Sequence, residues 1–260
     1  MEPDGDLRDL LERVRRGVLS PDEAEKEIQS RSAGHIGSIA HLDLERAGRC
    51  GIPEVVLAEG KDPVHLYAIA EGYARRAGRC VITRIDPVTL PTLQEITRQL
   101  GISYEYSPEG RVMVLAGAPR MADTGGIIGI ITAGTSDIRV AEEARVIAEE
   151  MGCKVRTSYD VGVAGLHRLF PVLEEMKDCH AFVVAAGREG TLPAVVAGLM
   201  DQPVIGVPVS TGYGYMGKGE AALASMLQSC SVLTVVNIDA GFVAGAFAAR
   251  IATMVAGRSS

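Results

Sequence analysis

The chain has 260 residues, 47% of them hydrophobic, with 26 basic and 33 acidic side chains for a net charge of −7. That is enough for one large or two modest domains with a real core, while the acidic balance disfavours sequence-independent nucleic-acid binding, which draws on surplus Lys and Arg facing phosphates. The opening MEPDGDLRDLLERVRRG lacks an apolar h-region and no stretch of about 18 apolar residues follows, so a cytoplasmic protein without a membrane span is expected; five scattered cysteines without Cys-x-x-Cys or zinc spacing fit reduced thiols there.

Leu7 to Gly17 reads as a short amphipathic helix, and Ser20-Pro21-Asp22-Glu23 supplies an N-cap serine, an N1 proline and an N3 glutamate for a second. Val55–Ala58 and Cys80–Thr83 are β-like runs separated by a helical segment, Val64–Ala77, and Ile102–Tyr106 with Val112–Leu115 flanks Ser-Pro-Glu-Gly as a hairpin. Residues 1–120 are therefore expected to form a small N-terminal α/β domain, and 121–260 a catalytic domain of a different pattern.

From Gly126 onward, near-continuous apolar runs at Gly126–Ala133, Lys154–Val161, Ala181–Ala186, Pro203–Val209 and Leu233–Ile238 suit parallel strands buried on both faces. Each precedes a helical stretch: Ile138–Met151, Leu166–Asp178, Leu192–Asp201, Glu220–Gln228 and Gly241–Val255. Five βα units predict a doubly wound parallel sheet whose ligand crevice lies beyond the carboxyl ends of its strands.

The residues after each run are the informative ones. Gly134-Thr135-Ser136-Asp137 follows the first: the glycine permits a tight turn, and the hydroxyl and carboxylate groups either cap the next helix or grip a ribose or phosphate. The second leads into Asp160-Val-Gly-Val-Ala-Gly165-Leu-His167-Arg168, an imidazole beside a guanidinium, suited to anion binding and proton transfer. After the third, Gly187-Arg188-Glu189-Gly190 allows close backbone approach, and Glu189 reads as general base, metal ligand or plain helix N-terminal acid. Ser210 to Lys218, rich in Gly and Tyr, reads as a mobile lid ending on a cation. Cys230, where the helix ending at Gln228 meets the fifth run, is by default an inert small hydrophobe, as are Cys50, Cys80, Cys153 and Cys179.

Gly134-Thr-Ser-Asp137, His167-Arg168 and AAGREGTLPAVVAGLMDQPVIGVPVS resemble, in the same order, the aminoimidazole ribonucleotide carboxylases and mutases of the purine pathway. That resemblance implies a flavodoxin-like fold. Two departures stand out: the family has a histidine just before its Leu-Pro where this chain has Thr191, and it lacks a counterpart of Cys230 and of the N-terminal domain. HLDLERAGRCGIPEVVLAEGK, DVGVAGLHRLF and MLQSCSVLTVVNIDAGF are similar instead to the LarB family, the pyridinium-3,5-biscarboxylic acid mononucleotide synthases that begin nickel-pincer cofactor synthesis.

The LarB resemblance implies carboxylation of the pyridinium ring of nicotinic acid adenine dinucleotide with release of AMP, CO2 or bicarbonate as co-substrate, Mg2+ bridging substrate phosphates, and a homo-octamer. It makes Cys230 the nucleophile, Glu189 the proton acceptor and His167 a third catalytic group. Substrate contacts fall to Gly134, Thr135, Ser136, Asp137, Gly165, Arg168, Gly187, Gly190, Ser210, Lys218, Asn237 and Asp239, with Arg46 and Lys61 as candidate contacts from the N-terminal domain. The competing expectations are a purine-pathway carboxylase or mutase and a non-catalytic nucleotide-binding module.

Overall fold

The computed structural model describes residues 7–32, 34–36, 40–44, 46–211 and 216–257. Two helices open it, α1 (Leu7–Arg15) and α2 (Pro21–Ser32). Glu23 N–H donates to Ser20 Oγ at 3.2 Å and Ser20 N–H donates back to the Glu23 carboxylate at 2.9 Å, so the expected capping box forms.

A two-stranded hairpin, β1 (Gly34–Ile36) and β2 (Ala40–Leu42), and a single-turn helix, α3 (Arg46–Cys50), come next. Then follow β3 (Val55–Leu57), α4 (Pro63–Arg76), β4 (Arg79–Thr83), α5 (Leu90–Leu100), β5 (Ser103–Ser107) and β6 (Val112–Ala116). Their strands form one sheet in the order β3-β4-β6-β5, with β3 and β4 parallel and the β5–β6 hairpin antiparallel. Side chains alternate across it as the pleat requires. Cys80, Ile82, Met113 and Leu115 pack with Leu66, Ile69 and Leu93 of α4 and α5, whereas Val81, Val112 and Val114 face the other way and join the core of the C-terminal half.

That half runs β7 (Ile127–Thr132), α6 (Ile138–Glu150), β8 (Lys154–Ser158), α7 (Leu169–Glu175), β9 (Ala181–Ala186), α8 (Leu192–Leu199), β10 (Val204–Pro208), α9 (Glu220–Leu227), β11 (Thr234–Val235) and α10 (Gly241–Ala256). All five strands are parallel in the order β11-β10-β9-β7-β8, a flavodoxin-like, doubly wound α/β sheet. Helices α6 and α10 cover one face, and α7, α8 and α9 the other.

Two expectations need correction. The fifth strand keeps only Thr234–Val235, paired on one side alone with β10. The stretch from Leu166 begins as a 3-10 turn over Val163–Arg168, interrupted by the extended Gly165, and becomes α-helical only at Leu169. Helix α5, α3 and the β1–β2 hairpin had no counterpart in the sequence reading.

Helix α6 lies between the two sheets, and three of its buried residues are acidic: Glu142, Glu143 and Glu150, all at most 7% exposed. A buried carboxylate is expensive unless paired, and residues preceding β7 supply partners. Ser107 Oγ donates to Glu142 at 2.6 Å, Arg84 Nε lies 3.8 Å from Glu143, and Arg79 holds Glu150 in a forked pair at 2.5 and 2.8 Å, with Arg120 at 2.9 Å. Arg79→Gln leaves Glu150 to Arg120 alone, and a loss of about 2 kcal/mol is expected, less than for a fully orphaned buried charge. Urea denaturation at neutral pH measures it; an unchanged midpoint and slope would contradict the docking role.

Candidate active site

The strand order reverses between β7 and β9, and there a cavity of about 230 Å³ opens at the carboxyl edge of the sheet. The end of β7 contributes Ala133, Gly134, Ser136 and Asp137, the loop after β9 contributes Gly187 to Thr191, the loop after β8 contributes Gly162 to Ala164, and Thr211 closes one side. Gly190 must be glycine: its φ is 64°, and a Cβ there would lie 2.6 Å from the Ala222 carbonyl oxygen, so its absence lets α9 pack directly on the loop. Backbone strain concentrates at this edge. Asp160 after β8, Arg188 after β9 and Asp239 after β11 all adopt the left-handed conformation that non-glycine residues seldom take.

Asp137 occupies the N-cap position of α6 but does not cap it. Its carboxylate turns back to accept the Gly134 N–H at 2.9 Å, and the Gly187 N–H also hydrogen-bonds to it, tying the ends of β7 and β9 together across the cavity floor. Burial pushes its pKa up to about 6, with nearby Asp239 adding to the rise and the two backbone N–H groups opposing it.

Of the other expected site residues, Gly134, Ser136, Gly187, Glu189 and Gly190 line the cavity, and Glu189 is exposed to solvent there. Thr135 is exposed and lies off the lining. Ser210 is held at the rim by Asp239, whose carboxylate accepts the Ser210 N–H at 2.9 Å and hydroxyl at 2.5 Å. Asn237, also exposed, accepts the Ile238 N–H instead of facing the cavity. Arg168 folds back on its own loop, donating to the Asp160 carbonyl at 2.6 Å and carboxylate at 3.2 Å. Gly165 makes room for it, since a Cβ would stand 2.9 Å from Arg168 Nε. His167 is exposed and outside the lining. Lys218 is exposed in the turn before α9, and the expected lid falls partly on residues 212–215, outside the described residues. Arg46 sits 4.0 Å from Glu54 and Lys61 is exposed, both in the N-terminal half.

Cys230 lies apart from this cavity. It precedes β11, and a residue preceding a parallel strand lies at the amino edge, opposite the crevice. Its neighbour Ser231 approaches Gly198 near the end of α8, which returns to that same edge. Arg188 and Thr211 line the cavity without having been singled out as contacts; position immediately after a buried strand was the available signal for both. Among the described residues, no group of three or more His, Cys, Asp or Glu side chains is arranged to hold a metal ion, and no helix is long and apolar enough to cross a membrane.

Comparison with known proteins places this geometry in context. Residues 127–258 match the AIR carboxylase family, and residues 34–117 match the LarB/PurE-like N-terminal domain. The chain belongs to the AIR carboxylase family. It is a LarB-like member, with the AIR carboxylase half joined to the LarB/PurE-like domain. An uncharacterized protein of Methanocaldococcus jannaschii is 40% identical over 255 residues, covering 96% of this chain and 98% of that protein. The N5-carboxyaminoimidazole ribonucleotide mutase of the same organism is 36% identical over 120 residues, 44% of this chain and 71% of the mutase. The Thermotoga maritima mutase is 34% identical over 90 residues, 32% of this chain and 50% of the mutase. The family is one of carboxylase- and mutase-type enzymes, and in this LarB-like chain Asp137 lines the crevice.

The raised pKa of Asp137 has a directional consequence. Folding favours the protonated carboxyl, so its stabilising contribution is complete below pH 3.8, the unperturbed value, and is lost as pH rises through about 6. Unfolding of wild type and Asp137→Asn from pH 4 to pH 7 should show the wild type losing roughly 2 kcal/mol relative to the variant over that range. Parallel profiles would contradict the burial of a titrating group here.

Proposed function

We propose that this chain carboxylates the pyridinium ring of nicotinic acid adenine dinucleotide and hydrolyses its phosphoanhydride, giving pyridinium-3,5-biscarboxylic acid mononucleotide and AMP. The observation that carries the reading is the union, in one chain, of an AIR carboxylase core with a LarB/PurE-like N-terminal domain. The cavity, about 230 Å³, is below the ~300–1,000 Å³ usual for drug-sized ligands, so only one end of a dinucleotide would enter it and the remainder would lie along the strand-end loops.

A pyridinium ring is electron-poor and does not attack CO2. Addition of the Cys230 thiolate forms a C–S bond and moves an electron pair into the ring, leaving a neutral dihydropyridine with a nucleophilic enamine carbon. That carbon bonds to CO2, Glu189 takes the proton from it, and the C–S electrons return to sulfur as the thiolate leaves and aromaticity is restored. Water then adds at the phosphorus on the nicotinate side and gives up a proton to solvent, and AMP leaves with the bridging oxygen and the electron pair of the broken P–O bond. Asp137 accepts a ribose hydroxyl, and Ser136 and the N–H groups of the Gly134 turn hold phosphate or carboxylate. A magnesium ion would be carried on the substrate phosphates, as Mg2+ prefers oxygen ligands and keeps much of its water.

Because Cys230 lies at the far edge, its thiol reaches a crevice only in a neighbouring copy. Leu199, Leu227 and Val232 support that arrangement, being 48%, 66% and 94% exposed where α8 and α9 return to the amino edge, the kind of apolar surface a partner covers.

Mass spectrometry of a reaction with the dinucleotide, Mg2+ and labelled bicarbonate should find AMP and a labelled dicarboxylated mononucleotide. Cys230→Ser should abolish the labelled product with folding intact, while Cys153→Ser and Cys179→Ser, at buried positions, retain it. Carboxylation of aminoimidazole ribonucleotide instead would establish the activity named for the AIR carboxylase family, rearrangement of its N5-carboxy form would establish that named for the mutases the core resembles, and binding without turnover would establish a nucleotide-binding module.

A further inference from the structure

Taking the cavity as the active site, we propose that Arg84 is a positioning residue by which the N-terminal sheet holds the cavity rim in place. Arg84 directly follows β4 and itself adopts a left-handed backbone, φ 54°. Its guanidinium donates to the Asp239 carbonyl oxygen at 2.5 Å, stands 3.8 Å from Glu143 and donates to Glu59 at 2.8 Å.

Two of these contacts, to Asp239 and Glu143, lead to the rim. Asp239, also left-handed, gives both carboxylate oxygens to Ser210, the residue before the cavity-lining Thr211. Thr211 Oγ1 in turn donates to the Ser136 carbonyl oxygen at 3.4 Å. Glu143, buried in α6, also accepts the Phe242 N–H at the start of α10 and the Thr83 hydroxyl, so one carboxylate joins β4, α6 and α10 beside the Asp239 turn. A strained turn persists only where its surroundings over-determine it. From within the C-terminal half, the nearest basic group to the Asp239 carboxylate is Arg139, at 3.9 Å, beyond hydrogen-bonding distance. Arg84 supplies a short contact from a basic group, to the carbonyl oxygen of the same residue.

Arg79 provides the control, because it joins the same two halves through Glu150 at the opposite end of α6, remote from the cavity. Amide exchange of free protein is compared for Arg84→Gln, Arg84→Lys and Arg79→Gln, together with kcat and KM on the dinucleotide. Arg84→Gln should speed exchange in peptides spanning 209–211 and 236–240 by roughly tenfold and raise KM by a similar factor with a smaller change in kcat. Arg84→Lys, which keeps the charge but not the fork of donors, should recover part of both. Arg79→Gln should lower the unfolding midpoint and move neither. Equal effects of Arg84→Gln and Arg79→Gln, or unchanged exchange at the rim in Arg84→Gln, would overturn the proposal; should Arg84→Gln not fold, Arg84→Lys against Arg79→Gln decides it. If wild type does not turn over the dinucleotide, the reading of function fails while the exchange comparison still decides the role of Arg84.

Discussion

Helix α6 sits between two sheets with three acidic side chains out of water, and the molecule depends on how those charges are met. The Coulombic gain of a buried pair offsets its desolvation only when geometry is good and the remaining lone pairs are satisfied. Glu150 meets that demand with the Arg79 fork and Arg120, and Glu142 with Ser107, Arg145 and the Tyr159 hydroxyl, contacts that hold its carboxyl down near 2 against the opposing effect of burial. Glu143 has the longer Arg84 contact, and burial dominates, raising its pKa. Glu142 and Glu150 fix the N-terminal half on α6, and the more loosely paired Glu143 lies beside the Asp239 turn. The helix that starts at the crevice with Asp137 is thus braced along its length by residues far earlier in the chain.

Much of this was legible from sequence because parallel strands buried on both faces cannot alternate. Ile127–Thr132, Ala181–Ala186 and Val204–Pro208 stand out as unbroken apolar runs, and reading the residues after them led to Gly134, Ser136, Asp137, Gly187, Glu189 and Gly190. What escaped did so for physical reasons. The acidic positions of α6 resemble a solvated face, and only the second sheet packed against them makes them interior. An aspartate before a helix ordinarily caps it, whereas Asp137 is drawn back by the Gly134 and Gly187 N–H groups. Arg168 was a reasonable anion ligand until Gly165 allowed it to fold onto Asp160. The hairpin of β1 and β2 consists of three-residue strands, too short to show a period.

Cys230 shows where motif and geometry separate. The resemblance identifies it as the nucleophile, yet chain direction puts it at the amino edge of a sheet whose crevice is at the carboxyl edge. Both hold if the working site is assembled from two copies, one giving the Asp137 and Glu189 crevice and the other the thiol, with the exposed Leu199, Leu227 and Val232 at their contact. The N-terminal half then braces the crevice, and the amino edge carries the reactive group to a neighbour.

The most direct test mixes two inactive variants. Cys230→Ser retains the crevice and Glu189→Ala retains the thiol, so equal amounts co-expressed and assembled at random should recover about one quarter of wild-type carboxylation if each site draws its parts from different chains. No recovery in assemblies verified to contain both variants would contradict a thiol supplied by a neighbouring copy.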